Sequence, residues 1–248
     1  MSGHSKWATI KHKKGAADKA RGKLFAKLIR QVEVAARQGG GDPESNPTLR
    51  TMFQKARVSS VPLDTIERAI KRGTGELEGV NYEAITYEGY APGGVALLVE
   101  TLTDNRNRTG SEIRSLFTKN GGSLAEPGAV NWQFERKGVV SVDRSVEEDE
   151  VMLVGLEHGA EDIQDDGTTW RVTCPPSDTP AVRAAFEEAG FAVVDSDVTM
   201  APSSTVVVGD VAAAKAVLRL IDILDDHDDV QAVHSNVDIP DDVLEAVS

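Results

Sequence analysis

The side chains in this chain that are equipped for chemistry are mainly cations, and they crowd at its front. Across residues 1–37, Lys6, Lys11, Lys13, Lys14, Lys19, Arg21, Lys23, Lys27, Arg30 and Arg37 stand against Asp18 and Glu33. That is ten positive charges against two negative, a local net of +8 in a protein of net charge −13. Lys and Arg held against phosphates release condensed counterions. The binding that results depends strongly on salt and discriminates little between sequences. Cations this dense repel one another unless a polyanion joins them. The nucleic-acid-binding set expected from the pattern is Lys6, Trp7, Lys11, His12, Lys13, Lys14, Lys19, Arg21, Lys23, Lys27 and Arg30. Trp7 has two readings, stacking on a base or packing in a core. Arg106 and Arg108, in the polar run 104–109, form a second candidate site, read as an exposed loop that reaches RNA or a partner protein. The alternative there is pairing with Asp104 or Glu112.

Other chemistries find little support. His4, His12, His158, His227 and His234 show no metal-ligand spacing, and the single cysteine, Cys174, forms no pair. Cys174 precedes Pro175-Pro176 at the end of an expected strand and reads as a buried, inert thiol. Gly73-Thr74-Gly75 lacks dinucleotide-fingerprint spacing, and no Gly-x-x-x-x-Gly-Lys loop occurs. No catalytic residue, metal or cofactor is expected, and the chain does not read as an enzyme. The acidic clusters 147–150, 165–166 and 225–229 read as solvated helix ends and loops, able to attract cations or basic proteins.

The elements that position the cations follow from periodicity. A helix is expected over 16–38, with Leu24, Phe25, Leu28, Ile29, Val32, Ala35 and Ala36 on one face. Lys19, Lys23, Lys27, Arg30 and Arg37 lie on the opposite face, and Gly39-Gly40-Gly41 ends the helix. A second helix starts at Asn46-Pro47, a capping pair, and a third covers about 63–72. No helix-turn-helix with a second helix offering Asn, Gln or Arg to base edges is evident. Strands are expected at 85–90, 95–103 and 129–134, with a helix over 110–119. Between 139 and 198 the order is strand, helix, strand, strand, helix, strand, a split βαβ or ferredoxin-like unit. A strand at 205–208, a helix over 211–224 and a strand at 230–237 complete the pattern.

The fold class expected is α+β: a small N-terminal helical domain, then two ferredoxin-like α/β sandwich domains, one inserted into the other. The expected boundaries are 1–78 for the arm and helical domain, 79–136 plus 204–248 for the discontinuous domain, and 137–203 for the insert. Charge follows the same division. Residues up to Val80 carry sixteen Lys/Arg and eight Asp/Glu, and those from Asn81 onward eleven and thirty-two, a net of −21. Phosphate contact is therefore expected mainly in the N-terminal third. With 40% hydrophobic residues, no membrane-length apolar run and no apolar stretch behind the basic start, a soluble cytoplasmic protein is expected.

Several stretches are specific enough to compare with known families: Ser2-Gly3-His4-Ser5-Lys6-Trp7, the Lys11-His12-Lys13-Lys14 run, residues 18–25, residues 66–75, residues 87–95, and Thr103-Asp104-Asn105-Arg106-Asn107-Arg108-Thr109. In order and over essentially the whole chain, they resemble the YebC/PmpR family. The sequence departs from it at Ser60-Val61-Pro62, where the family often has Asn-Met-Pro, and at Ala91, where Gly is frequent. The resemblance implies a three-domain, cytoplasmic, non-enzymatic protein acting in gene expression. Some members are described as DNA-binding transcriptional regulators. Others, including a mitochondrial translational activator of cytochrome oxidase, act on the ribosome, with relief of stalling at proline runs proposed for some. The expected partner is thus nucleic acid, either DNA or ribosomal RNA, with the ribosome or tRNA as further partners in the second case.

Overall fold

The computed structural model describes residues 17–247. Lys6, Trp7, Lys11, His12, Lys13 and Lys14 lie outside the described residues.

Three helices come first: α1 (Ala17–Gly39), α2 (Pro47–Val58) and α3 (Leu63–Thr74). Leu28, Val32, Ala35 and Ala36 of α1 bury against Leu49 and Ala56 of α2 and Ile66 and Ala69 of α3. The α1–α2 corner is closed by Asn46, which is 4% exposed. Its Oδ1 accepts from the Leu49 N–H at 3.0 Å, and its Nδ2 donates to the Ala35 and Gly40 carbonyls at 2.9 Å each. One side chain therefore caps the second helix and satisfies the end of the first. Asn46→Ala is expected to lower stability by about 2 kcal/mol, a lost cap plus unsatisfied carbonyls. Thermal unfolding checks this, and an unchanged midpoint would contradict it.

Strands β1 (Glu83–Tyr90) and β2 (Ala96–Thr103) form an antiparallel hairpin across 91–95. Then come α4 (Arg106–Lys119), β3 (Ser123–Leu124) and β4 (Phe134–Asp143). They are followed by α5 (Glu148–Glu157), β5 (Asp162–Asp165), β6 (Thr169–Cys174), α6 (Thr179–Glu188) and β7 (Val193–Pro202). The chain ends with β8 (Val206–Val207), α7 (Val211–Asp225), β9 (Val230–Ser235), β10 (Val237–Asp238) and α8 (Asp241–Val247).

One four-stranded sheet has the order β3-β1-β2-β9, so it joins strands from before and after the segment 134–202. That segment builds the second sheet, β5-β6-β4-β7, with every neighbour antiparallel. With α5 and α6 this is the ferredoxin-like arrangement. The fold is α+β, an N-terminal helical region followed by α/β sandwiches. Strand β2 explains how the two sheets meet. Leu97 and Val99 pack under α4 and α7. On the other face, Ala96 and Leu98 pack with Val130 and Phe134, against which Met200 of β7 also rests. A strand buried on both faces reads as a near-continuous apolar run, as Val95–Val99 does.

Two local expectations are corrected. The strand expected at 129–134 is a turn and a 3₁₀ segment, Asn131–Gln133, and β4 begins only at Phe134. The cause is Glu88, whose carboxylate takes the N–H groups of Gly128, Val130 and Asn131 and so removes them from any ladder. The helix expected to start at Gly110 starts at Arg106, because the Asn105 side chain caps it by accepting from the Arg108 N–H. Arg106 and Arg108 therefore sit in a first helical turn, not in a loop.

Candidate nucleic-acid interface

Across its polar side, α1 meets the acidic turn that follows α7. Lys23 Nζ lies 2.5 Å from Asp226 Oδ1. Lys27 Nζ donates to both the carbonyl and Oδ1 of Asp225 at 2.9 Å. Arg30 donates to the Asp228 carbonyl at 2.6 Å and to Asp229 Oδ1 at 3.0 Å. Its guanidinium lies 5.5 Å from the Tyr82 ring centroid. Three successive turns of α1 thus spend their cations on the run 225–229. Further along, Arg37 donates to the Val80 carbonyl and to Asn81 Oδ1, and it also lies beside the buried Glu33, which accepts from Arg72 at 2.9 Å. Arg21 is exposed near the start of α1. Lys19 belongs to α1, and its side chain lies outside the description.

Asp229 is the hub of this contact. It is 3% exposed and takes three side-chain donors from two elements. Arg30 of α1 is on Oδ1, while Arg108 at 2.6 Å and Thr109 at 2.7 Å, both of α4, are on Oδ2. Behind Thr109, its hydroxyl and that of Thr103 are 2.7 Å apart, and the Asn105 N–H donates to the Thr103 hydroxyl. Burial raises the Asp229 carboxyl, but the Thr109 and Arg108 hydrogen bonds and the two arginine charges outweigh it. The group is held below the usual carboxylate range. Arg108 also pairs with Asp104 at 2.8 Å, and Arg106 pairs with Glu83 at 3.3 Å.

A groove of about 940 Å³ runs between α1 and α4, lined by Lys23, Arg30, Tyr82, Ser111, Lys119 and the turn 226–229 among others. Within it, one ligand atom each from Glu112, His227 and Asp229 lie within 4.8 Å of one another, spacing that sequence separation hides. All three are already engaged. The Asp229 N–H donates to His227 Nδ1 at 3.1 Å, which leaves Nε2–H to donate to Glu112 Oε2 at 2.9 Å. With Arg30 and Arg108 on the Asp229 carboxylate, the cluster is a hydrogen-bond relay that would repel an added cation. Cys174 is fully buried, 3.7 Å from the Thr179 hydroxyl, and burial pushes its thiol up.

The candidate residues therefore divide. Lys23, Lys27, Arg30 and Arg108 converge on one acidic turn, while Arg106 stands apart at the rim of α4. Sequence reasoning missed Asp229, Thr109 and His227. It took 225–229 for a solvated helix end, and the only available signal was five consecutive polar residues, four of them Asp.

Family profiles match along the chain. The profile described as TACO1/YebC protein N-terminal domain covers residues 5–76, and that for the TACO1/YebC second and third domain covers residues 82–237. The chain belongs to the TACO1/YebC family. It is 54% identical over 251 residues to a "Probable transcriptional regulatory protein" of Halothermothrix orenii, covering 100% of this chain and 99% of that one. A protein of the same printed name from Thermobifida fusca is 56% identical over 250 residues, with 100% of both chains covered. Among solved structures, a conserved hypothetical protein from Aquifex aeolicus superposes with a TM-score of 0.84 at 47% identity, over 95% of this chain and 97% of that one. Among the described residues, no helix is long and apolar enough to cross a membrane.

Proposed function

We propose that this family member is a non-enzymatic regulator of gene expression that binds nucleic acid, with phosphate contact beginning in the basic segment 1–37. The observation that carries the reading is the charge asymmetry, ten cations against two carboxylates in that segment ahead of a remainder of net −21 from Asn81 onward. Phosphate affinity is the physical consequence of such a segment, and the acidic remainder confines it. The relatives' printed names favour transcription as the setting, with DNA as the polyanion on that reading.

A second reading, ribosomal RNA on the ribosome with or without tRNA, draws on a specific observation. Lys23, Lys27 and Arg30 are spent on the turn 225–229, so the polar side of α1 is not open to lie in a major groove while those pairs hold. A Lys- and Gly-rich segment suits RNA, which is recognised by shape and at its unstacked bases.

Replacing Lys11, Lys13 and Lys14 by Glu is expected to abolish nucleic-acid binding under either reading while leaving the folded regions intact by circular dichroism. Retained binding would overturn the basic-segment reading. Co-sedimentation with ribosomes, set against affinity for promoter DNA at matched physiological salt, separates the two targets. Tight, sequence-selective promoter binding without ribosome association would leave the transcription reading standing, and the reverse pattern the translation reading.

A further inference from the structure

Among the helices of the described residues, α2 alone carries no Asp or Glu, while it holds Arg50, Lys55 and Arg57. It packs inward through Leu49 and Ala56. Outward, Thr51, Gln54 and Val58 form a line at helical spacing, with Arg57 on one flank and Val58 87% exposed. An exposed valine beside an amide, a hydroxyl and a guanidinium is not a solvated charged face. Among the described residues, the Gln54 amide and the Arg57 guanidinium have no hydrogen-bond or ion-pair partner, in contrast to the spent cations of α1. The Thr51 hydroxyl donates to the Pro47 carbonyl at 3.0 Å and keeps its lone pairs outward. Arg50 is committed to the Pro43 and Glu44 carbonyls, which fixes the start of the helix.

The other flank decides what kind of nucleic acid fits. There Lys55 pairs with Asp197 of β7 at 2.5 Å, so the acidic second sheet stands beside α2. A helix seated in the major groove of B-form DNA has a phosphate strand along each side. One of those strands would run along β7, past Asp195 and Asp197. Folded RNA can approach from one side only, presenting phosphates, 2′-hydroxyls and unstacked bases.

We propose that the outward face of α2 is a contact surface for folded RNA. Arg57 takes a phosphate, Thr51 and Gln54 take 2′-hydroxyls or base edges, and Val58 rests on an exposed base or ribose. The assignment rests on the nucleic-acid reading above and adds a second, folded surface to the basic segment.

The test titrates the full-length protein with a fluorescein-labelled ribosomal RNA fragment and with a random-sequence DNA duplex across a salt series. Arg57→Ala combined with Gln54→Ala is expected to weaken RNA binding roughly tenfold and to lower the salt slope by about one. Arg57→Lys keeps the cation and should hold affinity within about threefold. Arg68→Ala, on the exposed side of α3 beside Asp64, should change neither probe. If the wild type binds RNA and the double variant matches it, the α2 surface is refuted while the nucleic-acid reading stands. If DNA binding alone weakens, the occupant is DNA and the RNA assignment is overturned. If the wild type binds neither probe, both readings fall.

Discussion

Asp229→Ala is expected to lower the unfolding free energy by about 3 kcal/mol, the cost of breaking a buried, multiply hydrogen-bonded ion pair from one side. The side chain accepts from Arg30, Arg108 and Thr109, and its removal leaves the buried Thr109 hydroxyl without its best acceptor. The loss stays at the lower end of the usual range because both guanidiniums rehydrate in part, Arg108 being 42% and Arg30 22% exposed. Asp228→Ala is the control. Asp228 offers Arg30 only its backbone carbonyl, so the change should stay within about 0.5 kcal/mol. Urea unfolding followed by circular dichroism reads both, and equal effects would refute the hub. The sign of the pH dependence follows from the depressed carboxyl. Its stabilisation is fully present above the unfolded-state pKa, about 3.9, and disappears as pH falls through the still lower folded value. The gap between wild type and Asp229→Ala should therefore be constant near neutrality and close in acid. Amide exchange in α1 should accelerate in the variant, because the helix is tied to the α/β sandwiches chiefly through this turn.

The same contact shows why a sequence discloses the elements of this fold more readily than its joints. Helical spacing in 17–39 and the strand-helix order of 134–202 are local patterns, and local packing enforces them. Asn46-Pro47 announces a helix start because capping is chemistry between neighbours. Lys27 and Asp225 are 198 positions apart, and nothing in either neighbourhood names the other. Charge bookkeeping separated the chain into a basic front and an acidic remainder and assigned the whole front to a polyanion. In the folded chain the two halves also attract each other, and the turn 225–229 occupies the cations of α1 from Lys23 to Arg30. The late start expected for α4 has a related cause. Its first three residues are polar and exposed, so apolar periodicity begins at Ile113, while the buried Thr109 is engaged by Asp229 far along the chain. The acid-free face of α2 was hidden differently. Its composition was plain, but only the packing of Leu49 and Ala56 shows which residues are turned outward.

Glu88→Gln is expected to cost about 2 kcal/mol and Glu88→Ala about 3 kcal/mol, because charge-assisted hydrogen bonds to buried partners are lost. Glu88 is 7% exposed on β1, facing the side of the first sheet that the second sheet covers. Its Oε1 accepts from the Gly128 N–H at 2.7 Å, and its Oε2 from the N–H groups of Val130 at 2.6 Å and Asn131 at 2.8 Å. A glutamine preserves the shape but turns an NH₂ toward one of these donors, whereas alanine abandons all of them. Burial raises the Glu88 carboxyl, yet the backbone donors prevail and hold it below its ordinary value. Its contribution is therefore complete above the unfolded-state pKa, about 4.3, and is lost as pH falls through the folded value. Glu126→Gln, an exposed change in the same loop, should be neutral within about 0.5 kcal/mol. Urea unfolding at neutral pH and in acid distinguishes the cases, and a Glu88→Gln variant as stable as wild type at neutral pH would remove the carboxylate from the account. The loop 125–133 is the route by which the chain leaves the first sheet for the second, and Val130 and Phe134 pack on Leu98 beneath it. Exchange of the amides in 128–131 and at the start of β4 should rise together in Glu88→Ala, while α5 and β5, at the far edge of the second sheet, keep their protection. A uniform rise across both sheets would instead mean that Glu88 acts on global stability alone and not on the joint between them.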